Sequence, residues 1–126
     1  MSLKLLAAVF GAGGLGAVTR YGLNAAAAKL GVFPYGTLAA NLIGCFLFGL
    51  AYQAAEIWRL PPGPWRAAIF AGFLGGFTTF SSFIFDTYNL SSNKVYLGIF
   101  NILIHIIGGY LLFIIGIMIS KYIFKS

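Results

Sequence analysis

The sequence predicts an all-α membrane protein of four transmembrane helices, the third interrupted near its middle. Three observations carry that prediction. The chain of 126 residues is 60% hydrophobic and only 8% charged, with mean hydropathy +0.94, too few charges for a soluble domain of this size. Short polar or proline-rich breaks divide it into four apolar runs, roughly 5–28, 37–58, 65–89 and 95–120, each near the ~20 helical residues that cross a ~30 Å hydrocarbon layer. The midpoint of the third run is Phe77, and a Gly-Gly, a Thr-Thr and a Ser-Ser pair lie around it. Lipid supplies no hydrogen-bond partners, so irregular backbone at that depth survives only inside protein or beside a water-filled path. Little chain lies outside the four runs, and residues 1–126 read as one domain. So thin a bundle cannot enclose a wide polar conduit alone, and oligomerisation is expected on size grounds.

The first run opens after Lys4 and carries GAGGLG at residues 11–16. The glycine spacing imitates a dinucleotide fingerprint, but that motif needs a preceding strand and a crossover unit. Small residues in a membrane helix let backbones approach closely, and that reading also covers Gly36, Ala40, Gly44, Gly72 and Gly76. Lys4, the apolar run and Ala25–Ala28 loosely imitate a cleaved leader. Arg20 interrupts the run and three equally apolar runs follow, so no cleavage is expected. An arginine inside a span is costly unless it snorkels or pairs. Arg20 is therefore either an interfacial anchor or an attractor of anions at a vestibule.

Pro34 marks the link to the second run, which Thr37 opens. Asn41 follows one turn later, with two N–H donors and one acceptor oxygen. It reads either as glue between helices or as a donor facing a permeating anion. Cys45 reads as a small apolar packing residue. Glu56, beside Trp58 and Arg59, reads as solvated. LPPGP at residues 60–64 cannot continue a helix, and Trp58 and Trp65 flank it as interface anchors.

In the third run, glycines 75 and 76 and the β-branched Thr78 and Thr79 weaken helical order. Freed carbonyls there suit a hard cation. Phe80 and Phe83 then share a face at spacing three, with Ser81 and Ser82 between them. Ring edges carry partial positive charge, so edges plus hydroxyl and amide donors are suited to replace the water around a small anion. Asp86 continues the same face and needs hydration or a partner; His105 of the fourth run is the candidate. Asn101, His105 and Gly109 recur every four residues there, and His105 reads as a packing or as a pathway residue.

The formal charge of +6 is thinly spread. Lys4, Arg59, Arg66, Lys121 and Lys125 fall on one side of four spans. Lys29 and Lys94 fall on the other, with Arg20 toward that side. The bias modestly favours cytoplasmic termini. No basic stripe with aromatics marks a nucleic-acid partner. Paired carboxylates, a metal-ligand cluster and a nucleophile–base pair are all missing, so no enzyme is expected.

These residues resemble the Fluc (CrcB) family of fluoride channels. The likeness runs over nearly the whole chain, through residues 13–21 with Arg20, residues 36–44 with Thr37 and Asn41, and above all GFLGGFTTFSSF at residues 72–83. It implies a dual-topology homodimer, two copies antiparallel in the bilayer. It implies a structural sodium ion held at the dimer centre by the carbonyls of Gly75 and Thr78. It implies two pores per dimer, each lined by Asn41, Phe80 and Phe83, with a polar track through Ser81 and Ser82 toward Asp86, Asn101 and His105. Two residues depart from the family pattern: Asp86 replaces the usual glutamate, and Gly109 stands where serine is usual. The resemblance further implies passive fluoride efflux at a bacterial inner membrane. The rivals are a small multidrug-type proton-coupled exporter and a non-transporting membrane scaffold.

Overall fold

A computed structural model describes residues 2–124; Lys125, counted with the basic side above, lies outside them. Four helical spans are long and apolar enough to cross a membrane: Leu3–Leu30, Tyr35–Ile57, Pro64–Asn93 and Val95–Phe124. The Ser2 hydroxyl caps the first, accepting from the Leu5 N–H at 3.3 Å. Gly31, at φ 138°, ends it in a backbone region that side-chain-bearing residues rarely enter. Pro64 opens the third span at its first helical turn, where its missing N–H costs nothing.

The helices run further than the apolar runs predicted. The third continues through Leu90 and the polar residues 91–93, because two of those polar side chains return bonds to the preceding turn. Ser92 Oγ donates to the Tyr88 carbonyl at 2.9 Å, and Asn93 Nδ2 to the Asn89 carbonyl at 3.0 Å. Lys94 alone, extended at φ −146° and ψ 105°, links the third span to the fourth.

Within the third span, helix ends at Phe77 and resumes at Phe80. Thr78 (φ −85°, ψ 155°) and Thr79 (φ −150°, ψ 115°) are extended. The first half, 64–77, widens into π-type turns over Ala68–Leu74. The fourth helix does the same over Ile104–Gly108.

Small residues set the packing. The first helix crosses the first half of the third span. A Cβ on Gly13 would lie 3.7 Å from the Gly72 carbonyl, and one on Gly72 would meet Ala12 Cβ at 2.8 Å. The second helix and the C-terminal part of the fourth form the other seam. There a Cβ on Gly49 would strike the Phe113 carbonyl, and one on Gly116 the Phe46 carbonyl. Backbone cannot yield as a side-chain tip can, so Gly116→Leu should separate this seam. We expect a loss of about 1–3 kcal/mol, read as a lower melting temperature and aggregation in detergent.

Large apolar side chains cover the exterior, while several polar side chains are buried. Ala40, Asn101 and Ser120 are fully buried, whereas Phe10 and Tyr122 are more than four-fifths exposed. A contiguous apolar exterior of this kind has no place in water. Lipid is its solvent, and the chain is a multi-pass membrane protein.

Candidate functional site

The break at Thr78–Thr79 is stitched by a residue 38 positions away. Asn41 Oδ1 accepts from the Thr79 N–H at 2.7 Å, and Asn41 Nδ2 donates to the Thr79 carbonyl at 3.0 Å. One amide side chain thus satisfies both backbone groups of Thr79, where lipid offers no substitute. One Nδ2 hydrogen is left over. Gly44, on the same face as Asn41, is bare because Thr78 Cγ2 fills the space beside it.

Each half-helix end is managed separately. Thr79 Oγ1 accepts from the Ser82 N–H at 3.2 Å and sits 3.1 Å from Ser82 Oγ and 3.3 Å from Ser81 Oγ. It therefore caps the half that begins at Phe80. The positive end of that helix dipole points at the break, a setting that favours an anion. At the other end, Arg20 Nε donates to the Gly76 carbonyl at 3.2 Å. Arg20 is thus partly buried and engaged at a helix C-terminus, where a cation is favourable. Losing it leaves that carbonyl unpaired, so Arg20→Met should cost about 1–3 kcal/mol, measured as a lower melting temperature.

In a continuous helix the Thr79 N–H would close on the Gly75 carbonyl. Here it goes to Asn41. The Gly75 carbonyl loses its helical donor on an exposed face, while Thr78 Oγ1 turns back to the Leu74 carbonyl at 2.9 Å.

An open groove of about 450 Å³ runs past the break, lined by Asn41, Thr79, Phe80, Phe83, His105 and Cys45 among others. The Phe80 and Phe83 rings are tilted, with centroids 5.5 Å apart. Phe83 is buried and its ring lies 4.5 Å from that of His105. Phe80 is 72% exposed along the groove wall. Beyond Phe83 the polar contacts continue: Thr87 Oγ1 donates to the Phe83 carbonyl at 2.7 Å, and Asn101 Nδ2 donates to Thr87 Oγ1 at 2.9 Å. Thr87 was missed by the sequence reading. Its position four residues after Phe83, on the same helical face, was the available signal. Ser81 is exposed and Ser82 half-buried; Thr37, one turn before Asn41, is buried.

Asp86 does not meet the partner expected for it. No ion pair or hydrogen bond joins it to His105. Asp86 Oδ2 is buried without a partner, in a separate depression with Pro34, Asn89 and Asn93. His105 Nδ1 instead lies 2.9 Å from the Asn101 carbonyl. Three residues from Phe83 is close to one turn, but not enough to bring a short carboxylate round to the His105 side. Glu56, read as solvated, is half-exposed and pairs with Arg66 at 3.0 Å across the proline loop.

The family model described as CrcB-like protein, Camphor Resistance (CrcB), matches residues 6–117. The chain belongs to the CrcB-like family. Relatives named fluoride-specific ion channel FluC span most of this CrcB-like chain. The Dehalococcoides mccartyi protein is 43% identical over 107 residues, 82% of each chain. That of Citrifermentans bemidjiense is 40% identical over 112 residues, 86% of this chain and 90% of its own. That of Clostridium perfringens is 37% identical over 128 residues, 98% of this chain and 100% of its own.

Proposed function

We propose that this CrcB-like protein is a fluoride channel giving passive efflux from the cytoplasm, and so fluoride resistance. The observation that carries the reading is the groove at the break. The positive end of a half-helix, a spare Asn41 N–H, hydroxyls and two phenylalanine rings converge there without a fixed charge. A small anion shedding water needs many partial positive charges at short range, as selectivity filters provide in general. The names of its relatives point to fluoride as that anion.

Hydrogen fluoride, a weak acid, crosses bilayers neutral and dissociates in a less acidic cytoplasm. A negative-inside potential then drives the anion out by about 2.3 kcal/mol per 100 mV, and no coupling chemistry or catalytic step is required. We place the protein in a bacterial inner membrane. We propose that it works as a dual-topology antiparallel homodimer with two pores, each lined by Asn41, Phe80 and Phe83. The interruption at Thr78–Thr79 serves as the third-helix break of that assembly, and Ser81, Ser82, Thr87 and Asn101 continue the polar track. Asp86 and Thr37 belong to the mouths of the pathway.

The residues at the break fit a structural sodium ion. The Gly75 carbonyl has lost its helical donor on an exposed face, and carbonyl oxygen suits a hard cation. Gly75 and Thr78 of two copies would hold the ion, which supplies positive charge between opposed helix C-termini. Sodium removal should then raise the dimer's dissociation constant by at least about tenfold, a ~1.4 kcal/mol effect. Dimer unchanged in sodium-free buffer, by single-molecule photobleaching in liposomes, would remove that site.

The test of function is fluoride efflux from liposomes carrying purified protein, with chloride as control. Rapid fluoride release with chloride retained supports the channel. Release no faster than from empty vesicles would leave the scaffold reading. Proton-driven uptake of an organic cation would revive the exporter, although that mechanism wants an acid in the first helix and no Asp or Glu precedes Glu56.

A further inference from the structure

His105 is the single histidine of the chain. It is buried in the π-type turn of the fourth helix, and its ring forms part of the groove wall beside Phe83. Its Nδ1 lies 2.9 Å from the Asn101 backbone carbonyl. A carbonyl oxygen can only accept, so Nδ1 must carry the hydrogen. In a neutral imidazole the second nitrogen is then a bare lone pair. That atom, Nε2, is buried and has no partner.

A lone pair on a ring that forms part of the groove wall repels an anion that comes beside it. Protonation reverses this completely: Nε2 becomes an N–H donor on a positively charged ring. We propose that His105 is a protonation-dependent anion ligand of the pathway. As the neutral ring it opposes an anion beside Phe83, and as imidazolium it donates Nε2–H to that anion. Acidity then promotes conduction. Nδ1 stays on the Asn101 carbonyl in both states; Nε2 itself is covered, so an anion meets it only when the groove wall beside Phe83 gives way.

The groups that bear on His105 are few. From the second half of the third span the titratable group is Asp86, which lies in a separate depression. From the second helix it is the Cys45 thiol, which lines the same groove. On its own helix no other Lys, Arg, Asp or Glu occurs between Lys94 and Lys121. Histidine is the side chain that ordinarily changes charge between about pH 5 and 8, and here it is the one such group on the groove wall.

This inference rests on the fluoride-pathway reading above, and the experiment separates the two. Fluoride currents in planar bilayers count ions and are blind to neutral hydrogen fluoride. At constant fluoride, wild-type current should rise roughly threefold or more from about pH 8 to about pH 5, the range over which histidine titrates. His105→Gln, whose amide donates at every pH, should give a flat profile. A flat wild-type profile with normal current, or a rise retained in H105Q, would overturn the role of His105 and leave the channel intact. No fluoride current at any pH would overturn the channel itself. A second measurement needs no variant. With 15N-labelled histidine the lone imidazole should be Nδ1-protonated with Nε2 bare at about pH 8, and its Nε2 signal should respond to added fluoride at about pH 5. An Nε2–H tautomer at the higher pH, or no response to fluoride at the lower, sinks the proposal even if H105Q fails to assemble.

Discussion

Phe83→Ile should cut fluoride flux by about tenfold or more, equivalent to ~1.4 kcal/mol of lost stabilisation, while the protein still folds. Phe83 is buried between Phe80, 5.5 Å away, and His105, 4.5 Å away. Both neighbours are tilted against it, by 52° and 38°, and we propose that ring edges meet the anion in the groove. Those edges carry the partial positive charge of the aromatic quadrupole. Isoleucine fills most of the volume and has no such edge. A near-isosteric apolar swap of this kind costs under about 1.5 kcal/mol in stability, so flux should fall more than the melting temperature indicates. Phe80→Ile should act in the same direction. Phe85→Ile is the internal control, since Phe85 is largely exposed and does not line the groove. Equal flux in all four proteins would show that the rings only pack.

Asn41 variants should have the other large effect, and the structure divides it into two parts. Asn41→Ala deletes both bonds to Thr79. It strands a backbone N–H and a carbonyl, at about 1–3 kcal/mol each. We expect a clear drop in melting temperature together with lost flux. Asn41→Asp keeps an acceptor for the Thr79 N–H but faces the Thr79 carbonyl with a second oxygen. It also places negative charge, or the cost of neutralising it, in the path of an anion. Its currents should be nearly abolished, and more completely than its stability is reduced. If both variants melt with the wild type, Asn41 does not hold the break. If Asn41→Asp conducts normally, no anion passes it.

Much of this arrangement was legible in the sequence because it rests on local properties. Hydropathy located all four spans, and the paired glycines and threonines located the irregular backbone at Thr78 and Thr79. The spacing of Phe80 and Phe83 put two rings on one face. The helix ends were less legible. Ser92 and Asn93 read as polar loop, yet each bonds back to its own helix. Arg20 was placed near an interface or a vestibule; its partner, the Gly76 carbonyl, lies 56 positions along the chain. No periodicity encodes that distance.

By itself the sequence determined a lipid-soluble chain of four helices with a weak point at the middle of the third. Partition into oil and backbone preference are properties of each segment taken alone. Tertiary structure decided who satisfies that weak point: Asn41 takes the Thr79 backbone and Arg20 the Gly76 carbonyl. It also decided that Asp86 and His105 face different spaces. Those outcomes depend on how far each helix is rotated about its axis, which close glycine contacts such as Gly13 on Gly72 and Gly116 on Phe46 set and hydropathy does not.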